Sequence, residues 1–145
     1  MQKITTFLWY DGKAKEAAEF YCSLFKNAKV INASPLIVNF EIEGQRFMAL
    51  NGGPQFKFTE AASLFVDCES QEEVDRLWKS LTADGGEESM CGWLKDKYGL
   101  SWQIIPRRLM ELMGDKDQAK AQRVMQAMLK MREIEVSKLE EAARG

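Results

Sequence analysis

Two titratable side chains that could act as an acid or a base stand at the ends of predicted strands. Tyr10 closes an apolar strand that begins at Ile4, and Asp67 closes a similar strand that begins at Ser63. A phenol or carboxyl group at a strand end can transfer a proton if a cleft brings it to a substrate. No partner for either group can be named from the sequence, so an exposed tyrosine and a strand-capping aspartate are the simpler alternative.

The thiols are the next candidates, because the chain contains three cysteines and no histidine. Cys22, Cys68 and Cys91 lack C-x-x-C spacing, which favours reduced thiols over a disulfide framework or a zinc site. The absence of histidine removes the usual general base, the commonest metal ligand and the Cys–His nucleophile pair. For Cys91, a buried inert thiol is therefore favoured over a reactive one.

The composition limits the class of protein. A chain of 145 residues with 46% hydrophobic residues is large enough to bury one core without disulfides or metals. Its 20 basic and 22 acidic residues are mixed along the sequence, which argues against nucleic acid binding. No apolar run reaches the roughly 20 residues that span a bilayer, and the start lacks the apolar segment of a signal peptide. We expect a cytoplasmic protein without membrane contacts.

The elements that position these residues occur twice in the same order. Hydrophobic periodicity predicts strand, helix and three strands over residues 3–50 and again over 61–106, joined by a turn-rich connection at 51–60. Phe7 aligns with Leu64, Tyr21 with Trp78 and Gly44 with Gly99, which favours an internal duplication. Residues 107–145 show only helical periodicity, so we expect a C-terminal helical extension within a single domain over 1–145.

Six segments together are typical of one protein family, and these are Thr6–Gly12, Phe20–Tyr21, Leu50–Pro54, Cys91–Trp93, Asp96–Lys97 and Gly99–Pro106. They resemble the PhnB-like proteins, a branch of the vicinal oxygen chelate superfamily that includes glyoxalase I, extradiol dioxygenases, fosfomycin-resistance and bleomycin-resistance proteins. Many PhnB-like proteins carry the label 3-demethylubiquinone-9 3-methyltransferase. The resemblance implies an α+β fold in which glyoxalase/bleomycin-resistance-like βαβββ modules form a curled mixed sheet with a cleft, followed by C-terminal helices, and it is expected to include the helical tail.

In this superfamily the metal ligands come from the first and last strands of each module. The resemblance places Thr6, Met48, Ser63 and Gln103 at or beside those positions. None is a carboxylate or an imidazole, so the set offers no anionic donor to a transition metal. We therefore expect no metal and no cofactor. The methyltransferase label is also disfavoured, because Gly52-Gly53 leads into Pro54 rather than into a helix that could hold an adenosyl cofactor.

The cleft lining follows from strand alternation once Thr6 is taken to face the cleft. Leu8 and Tyr10 would then face it as well, whereas Phe7 and Trp9 would pack against helices. A mostly apolar lining with a few polar groups suits a small organic ligand, and an interior packed solid by these side chains is equally favoured. The predicted ligand-binding residues are Thr6, Leu8, Tyr10, Met48, Leu50, Ser63, Phe65, Asp67, Gln103 and Ile105.

The sequence therefore predicts a homodimer that binds a small apolar or mixed-polarity organic molecule without a metal. The alternative is an enzyme of the superfamily, of the lyase, isomerase or transferase type, whose catalytic residues are not placed by this reasoning. A third possibility is a dimer with a filled cleft that acts through a protein partner.

Overall fold

A computed structural model describes residues 2–145, and the chain divides into two compact units, Met1–Phe58 and Thr59–Gly145. Within the described residues, no helix has the length and apolar character needed to cross a membrane. That the chain forms one domain over 1–145 stays a prediction.

The first unit is one βαβββ module. Its sheet has the order β1-β4-β3-β2, in which β1 runs parallel to β4 and the other neighbours are antiparallel. The apolar alternation of β3 places Val38, Phe40 and Ile42 on one buried face. The elements are β1 (Thr6–Tyr10), α1 (Ala14–Ser23), β2 (Ala28–Ala33), β3 (Ile37–Ile42) and β4 (Gln45–Asn51).

The second unit repeats this topology and continues into helices. Its sheet has the order β5-β8-β7-β6, again with one parallel pair, β5 with β8. The predicted α+β class with duplicated βαβββ modules and C-terminal helices is confirmed, and each module forms its own four-stranded mixed sheet. The elements are β5 (Ser63–Cys68), α2 (Gln71–Thr82), β6 (Glu87–Glu88), β7 (Trp93–Lys95), β8 (Ser101–Pro106), α3 (Arg107–Met113), α4 (Gln118–Met128) and α5 (Val136–Arg144).

The two modules correspond in a register that differs from the one predicted. Leu8 pairs with Ala49 and Val66 pairs with Ile104, so Leu8 corresponds to Val66 and Phe7 to Phe65 rather than to Leu64. A shift of one residue exchanges the two faces of a strand. In the helices, the buried residues fit the predicted pairing of Tyr21 with Trp78 and also a pairing one turn further on, of Tyr21 with Leu81. Helical periodicity repeats every three or four residues, so the hydrophobic pattern alone fits both alignments.

Tight turns close the β3–β4 and β7–β8 hairpins. Glu43 and Gly44 have φ angles of 48° and 82°, the paired positive values of a two-residue type I′ turn. In the second hairpin, the Gly99 amide donates to the Asp96 carbonyl at 2.9 Å, which is the i to i+3 bond of the predicted turn.

The Asp96 side chain holds that second turn from inside. It is only 2% exposed, and its Oδ1 accepts the backbone amides of Tyr98 at 2.8 Å and Leu100 at 3.1 Å. Its Oδ2 accepts Nε1 of Trp102 at 2.9 Å. A buried carboxylate needs several donors to offset its desolvation, and here three donors from one hairpin converge on it.

The C-terminal helices pack on one end of the second module. Leu109, Leu112, Val124, Ile134 and Leu139 form a buried cluster there, as the predicted helical extension requires. The extension is joined to the module by backbone hydrogen bonds between residues 91–92 and residues 131–132. The N-cap of α4 is Asp117, whose side chain accepts the backbone amides of Ala119 and Lys120.

A polar network also links the extension to α2. Gln71 Nε2 donates to Asp75 at 2.9 Å and to the Ile134 carbonyl at 3.0 Å, and its Oε1 accepts the Val136 amide at 2.7 Å. Burial, together with a hydrogen bond to Asp75, raises the pKa of Glu133 to about 7. The same hydrogen bond is the main cause of the lowered pKa of Asp75. Glu133 therefore holds the proton that this carboxyl pair shares.

We predict that Asp96→Asn lowers the free energy of unfolding by about 2 kcal/mol, because either orientation of the amide points its N–H groups at donors. In a Trp102→Phe background the loss should be smaller, since one donor is then gone. Urea unfolding followed by circular dichroism measures both, with the exposed Asp11→Asn as a control of near-zero effect. Equal losses in the two backgrounds would show that the Trp102 contact does not stabilise the turn.

A second prediction concerns pH. Folding raises the pKa of Glu133 above its ordinary 4.5, so its contribution to stability is complete below pH 4.5 and is lost as the pH rises through about 7. The lowered pKa of Asp75 has the opposite effect: its contribution to stability is complete above pH 3.8 and is lost as the pH falls below that value. The free energy of unfolding should therefore decrease between pH 4.5 and about pH 7, and Glu133→Gln should make this decrease smaller. Glu141→Gln, at an exposed position, should show the same pH dependence of the free energy of unfolding as the wild type. If Glu133→Gln also showed the wild-type pH dependence, Glu133 would not be the group responsible.

Candidate functional site

The first strand presents the opposite face from the one predicted. Leu8 and Tyr10 are 6% and 3% exposed, and the Tyr10 hydroxyl lies 2.9 Å from the Tyr21 hydroxyl of α1. Phe7, predicted to pack against a helix, is 50% exposed. The predicted orientation of β1 is therefore wrong. Both faces of this strand are apolar in sequence, and the packing of α1 decides which one is buried.

The residues at the metal positions of the first module do not share a face. Thr6 pairs with Phe47, and Phe7 pairs with Met48. Because cross-strand partners lie on the same side of a sheet, Thr6 is on the α1 side, whereas Met48 and Leu50 are on the opposite side. Met48 and Leu50 therefore keep the predicted open orientation, while Thr6, Leu8 and Tyr10 lie on the other face.

The predicted residues of the second module do share a face. Phe65 pairs with Gln103, so Ser63, Phe65 and Gln103 point to one side of the β5–β8 pair. Gln103 Nε2 donates to Ser63 Oγ at 3.0 Å, and the Phe65 side chain beside them is 50% exposed. This face is opposite to Trp102. It combines an exposed aromatic ring with a hydrogen-bonded hydroxyl and amide.

Two further predicted residues of this face are engaged elsewhere. Ile105 is 4% exposed and belongs to the core of the C-terminal helices. Asp67 Oδ2 accepts Nε and Nη2 of Arg107 at 3.2 and 3.0 Å, and this hydrogen bond is the first cause of the raised pKa of Arg107. Both N–H groups reach the same oxygen, so Asp67 serves as the charge partner of Arg107 at the start of α3.

Two of the three cysteines have a raised pKa. Burial raises the pKa of Cys68 to about 12, with the charges of Glu73 and Asp67 adding to the shift. Burial also raises the pKa of Cys22. Because the thiolate is the nucleophile, both cysteines are poor nucleophiles at neutral pH. Cys91 has a φ of 60° and donates its amide to the Met131 carbonyl, so its backbone has a structural role.

The donor set does not fit a metal of the kind the superfamily binds. Throughout residues 2–145, no three His, Cys, Asp or Glu side chains lie close enough to hold an ion. At the superfamily positions, Ser63 and Gln103 use their polar atoms on each other, and Thr6 and Met48 diverge. A neutral hydroxyl and amide give no anionic donor to a divalent transition ion.

The Asn51-Gly52-Gly53 turn was predicted only as a connection, and the structure gives it a packing role. Asn51 Oδ1 accepts the Ala14 amide at 2.8 Å and so supplies the first turn of α1 with a cap. A Cβ on Gly52 would lie 2.3 Å from the Trp9 indole, so only glycine fits there. Trp9 Nε1 donates to the Gly53 carbonyl at 2.8 Å. The sequence signal that could have indicated this packing role is the polar residue Asn51 followed by two glycines, in a chain whose first strand carries aromatic residues.

The duplicated βαβββ modules and the position of these faces define a protein of the vicinal oxygen chelate superfamily. Residues 2–105 match the model of the family described as 3-demethylubiquinone-9 3-methyltransferase. The chain belongs to this family of PhnB-like proteins. None of the proteins with curated functions matches it.

Solved structures agree with this assignment. A Bacillus cereus PhnB protein, provisionally described as a 3-demethylubiquinone-9 3-methyltransferase, is 37% identical, with a TM-score of 0.66 over 72% of this chain and 99% of that one. A glyoxalase/bleomycin resistance protein from Albidiferax ferrireducens is 15% identical (TM-score 0.52; 70% and 95% covered). The fosfomycin resistance protein FosX from Listeria monocytogenes, solved with Mn(II) and sulfate, is 19% identical (TM-score 0.52; 70% and 88% covered). The latter two show the fold alone.

The family match ends at residue 105, before α3 begins. The expectation that the resemblance includes the helical tail is therefore not supported. The family resemblance belongs to the two modules, and the C-terminal helices are outside it.

Proposed function

We propose that the protein binds a small organic molecule of mixed polarity, without a metal, on the face of the β5–β8 pair that carries Ser63, Phe65 and Gln103. The observation behind this is the Ser63–Gln103 hydrogen bond of 3.0 Å beside a half-exposed phenylalanine. An aromatic surface with one donor–acceptor pair suits a ligand with an apolar body and one polar group.

The residue types at the superfamily's metal-ligand positions support binding without a metal. One hydrogen bond joins Ser63 and Gln103, and neither residue carries a charge that would offset the dehydration of an ion. A ligand carbonyl or hydroxyl could instead join the same hydrogen bonds, because an amide and a hydroxyl each keep further donor or acceptor capacity.

The proposal includes a homodimer in the cytoplasm. Phe7 is 50% exposed on the face of its sheet away from α1. An exposed aromatic ring in the first module, outside the proposed ligand face, favours association with a second copy. Sedimentation velocity tests this part, and a monomer at every concentration would remove the dimer from the proposal.

The binding proposal predicts that 8-anilinonaphthalene-1-sulfonate, an apolar probe with one polar group, binds saturably and with the same affinity in EDTA. Phe65→Ala should weaken binding by about fivefold through lost aromatic area. Phe56→Ala is the matched control, because Phe56 is 66% exposed and lies in the other unit. Binding lost in EDTA, or equal losses in the two variants, would contradict the proposal.

A second candidate is the methyltransferase activity that the family description names. The chain offers little support for it, because Gly52 packs on Trp9 and Asn51 caps α1, so this glycine pair has a structural task. We expect no saturable heat in a calorimetric titration with S-adenosylmethionine. Clear saturable binding would revive the transferase alternative and leave the superfamily assignment intact.

A further inference from the structure

A cavity of about 360 Å³ lies beside β6, β7 and the start of β8 in the second unit. Ser101, Trp93, Lys95, Glu60, Glu87 and Glu88 are among the residues that line it. Neither Ser63 nor Gln103 is among them. Ser101 pairs with Ser63 and Trp93 pairs with Gln103, so the cavity lies beside the face proposed above and on the same side of the sheet. The inference below concerns this cavity and stands without the ligand proposed for that face.

The hydroxyl group of Ser101, which lines this cavity, is buried without a hydrogen-bond partner among the described residues. The residue is 0% exposed, and its Oγ has no hydrogen-bond partner in the part of the chain that the structure describes. Its backbone position is fixed by strand pairing with Ser63 and Lys95 on either side. Buried hydroxyl groups without a partner are rare, because their desolvation is not repaid. A group that enters the cavity could supply the partner.

The charges around the cavity favour a cation. Three carboxylates line it against one ammonium, and Lys95 Nζ is already paired with Glu60 at 2.8 Å. Glu88 Oε1 accepts Trp78 Nε1 at 2.8 Å. Within residues 2–145, Glu87 forms no ion pair, although its charge contributes to the raised pKa of Lys95. Glu87 is therefore the carboxylate available to a positively charged ligand.

The arrangement suits an organic cation better than a metal ion. The carboxylates do not converge, since no three His, Cys, Asp or Glu side chains in the described residues form a group able to hold an ion. Trp93 adds an aromatic ring to the lining. An indole face attracts ammonium groups, whereas a divalent ion requires several oxygen ligands at short distance.

We propose that this cavity binds a small organic ammonium ion, whose nitrogen pairs with the Glu87 carboxylate beside the Trp93 ring and donates one N–H to Ser101 Oγ. The hydroxyl accepts this hydrogen bond, and its own proton is free to turn toward water or a carboxylate in the cavity. A primary ammonium satisfies all three groups. A quaternary ammonium satisfies only Glu87 and Trp93, because it has no N–H.

The test uses the full chain, with the Trp93 indole N–H signal followed by NMR and assigned from Trp93→Phe. At constant ionic strength, n-butylammonium and tetramethylammonium should each shift this signal saturably, whereas neutral n-butanol should not. Glu87→Gln should weaken both ions about tenfold. Ser101→Ala should weaken n-butylammonium several-fold and leave tetramethylammonium unchanged. Glu72→Gln, an exposed carboxylate on the first turn of α2, should change neither.

Several results would overturn the proposal. These are no saturable shift with either ammonium, an equal shift with n-butanol, or an equal loss from Glu72→Gln and Glu87→Gln. Tighter binding of Mg²⁺ than of n-butylammonium would also overturn it. If Ser101→Ala weakened both ammonium ions alike, the hydrogen bond to Oγ would be excluded. Glu87 is exposed, so its substitution tests the site even if the Ser101 variant is unstable.

Discussion

The buried carboxylate of Asp96 is the interaction on which the second module depends. It accepts two backbone amides of its own turn and the indole of Trp102, which lies on the central strand β8. Since β8 pairs with both β5 and β7, fixing Trp102 relative to the turn sets the register of three strands. An ionised carboxylate has the acceptor capacity for all three donors, which an amide or a hydroxyl lacks.

The first module meets a similar constraint with different residues. Asn51 extends from the end of β4 to the first turn of α1 and to the Pro35 carbonyl, and Gly52 lies flat against Trp9. These residues belong to the segments that mark the family. Their contacts position strands and a helix, so the recognisable motifs of this chain build the scaffold. The chemistry of the open faces can then differ between relatives that share the same motifs.

Local patterns in the sequence were sufficient for much of the fold. The element order follows from short-range signals, and so does the match of Gly44 with Gly99, which both lie in tight turns. The face of β1 was not accessible in this way, because Phe7 and Leu8 are both apolar and only the packing of α1 distinguishes them. The Gln71 network joins residues about sixty positions apart, and no local pattern reports such a contact.

The candidate site also has residues that local patterns place correctly and residues that they do not. In the second module, Ser63, Phe65 and Gln103 share a face as strand alternation predicts, because the register of β5 and β8 matches the assumed one. In the first module, a one-residue difference in register sends Thr6, Leu8 and Tyr10 to the other side. Ser101 could not be singled out by its sequence context, since its importance comes from complete burial without a partner.

The central proposal is that this PhnB-like chain has the superfamily's scaffold, whereas the side chains at the superfamily's metal positions do not suit a transition metal. Elemental analysis of protein purified under mild conditions, after growth with manganese, iron, zinc and nickel present, tests it directly. The account predicts far less than one ion per chain for every metal. A stoichiometric ion that disappears in a Ser63→Ala, Gln103→Ala double variant would contradict it.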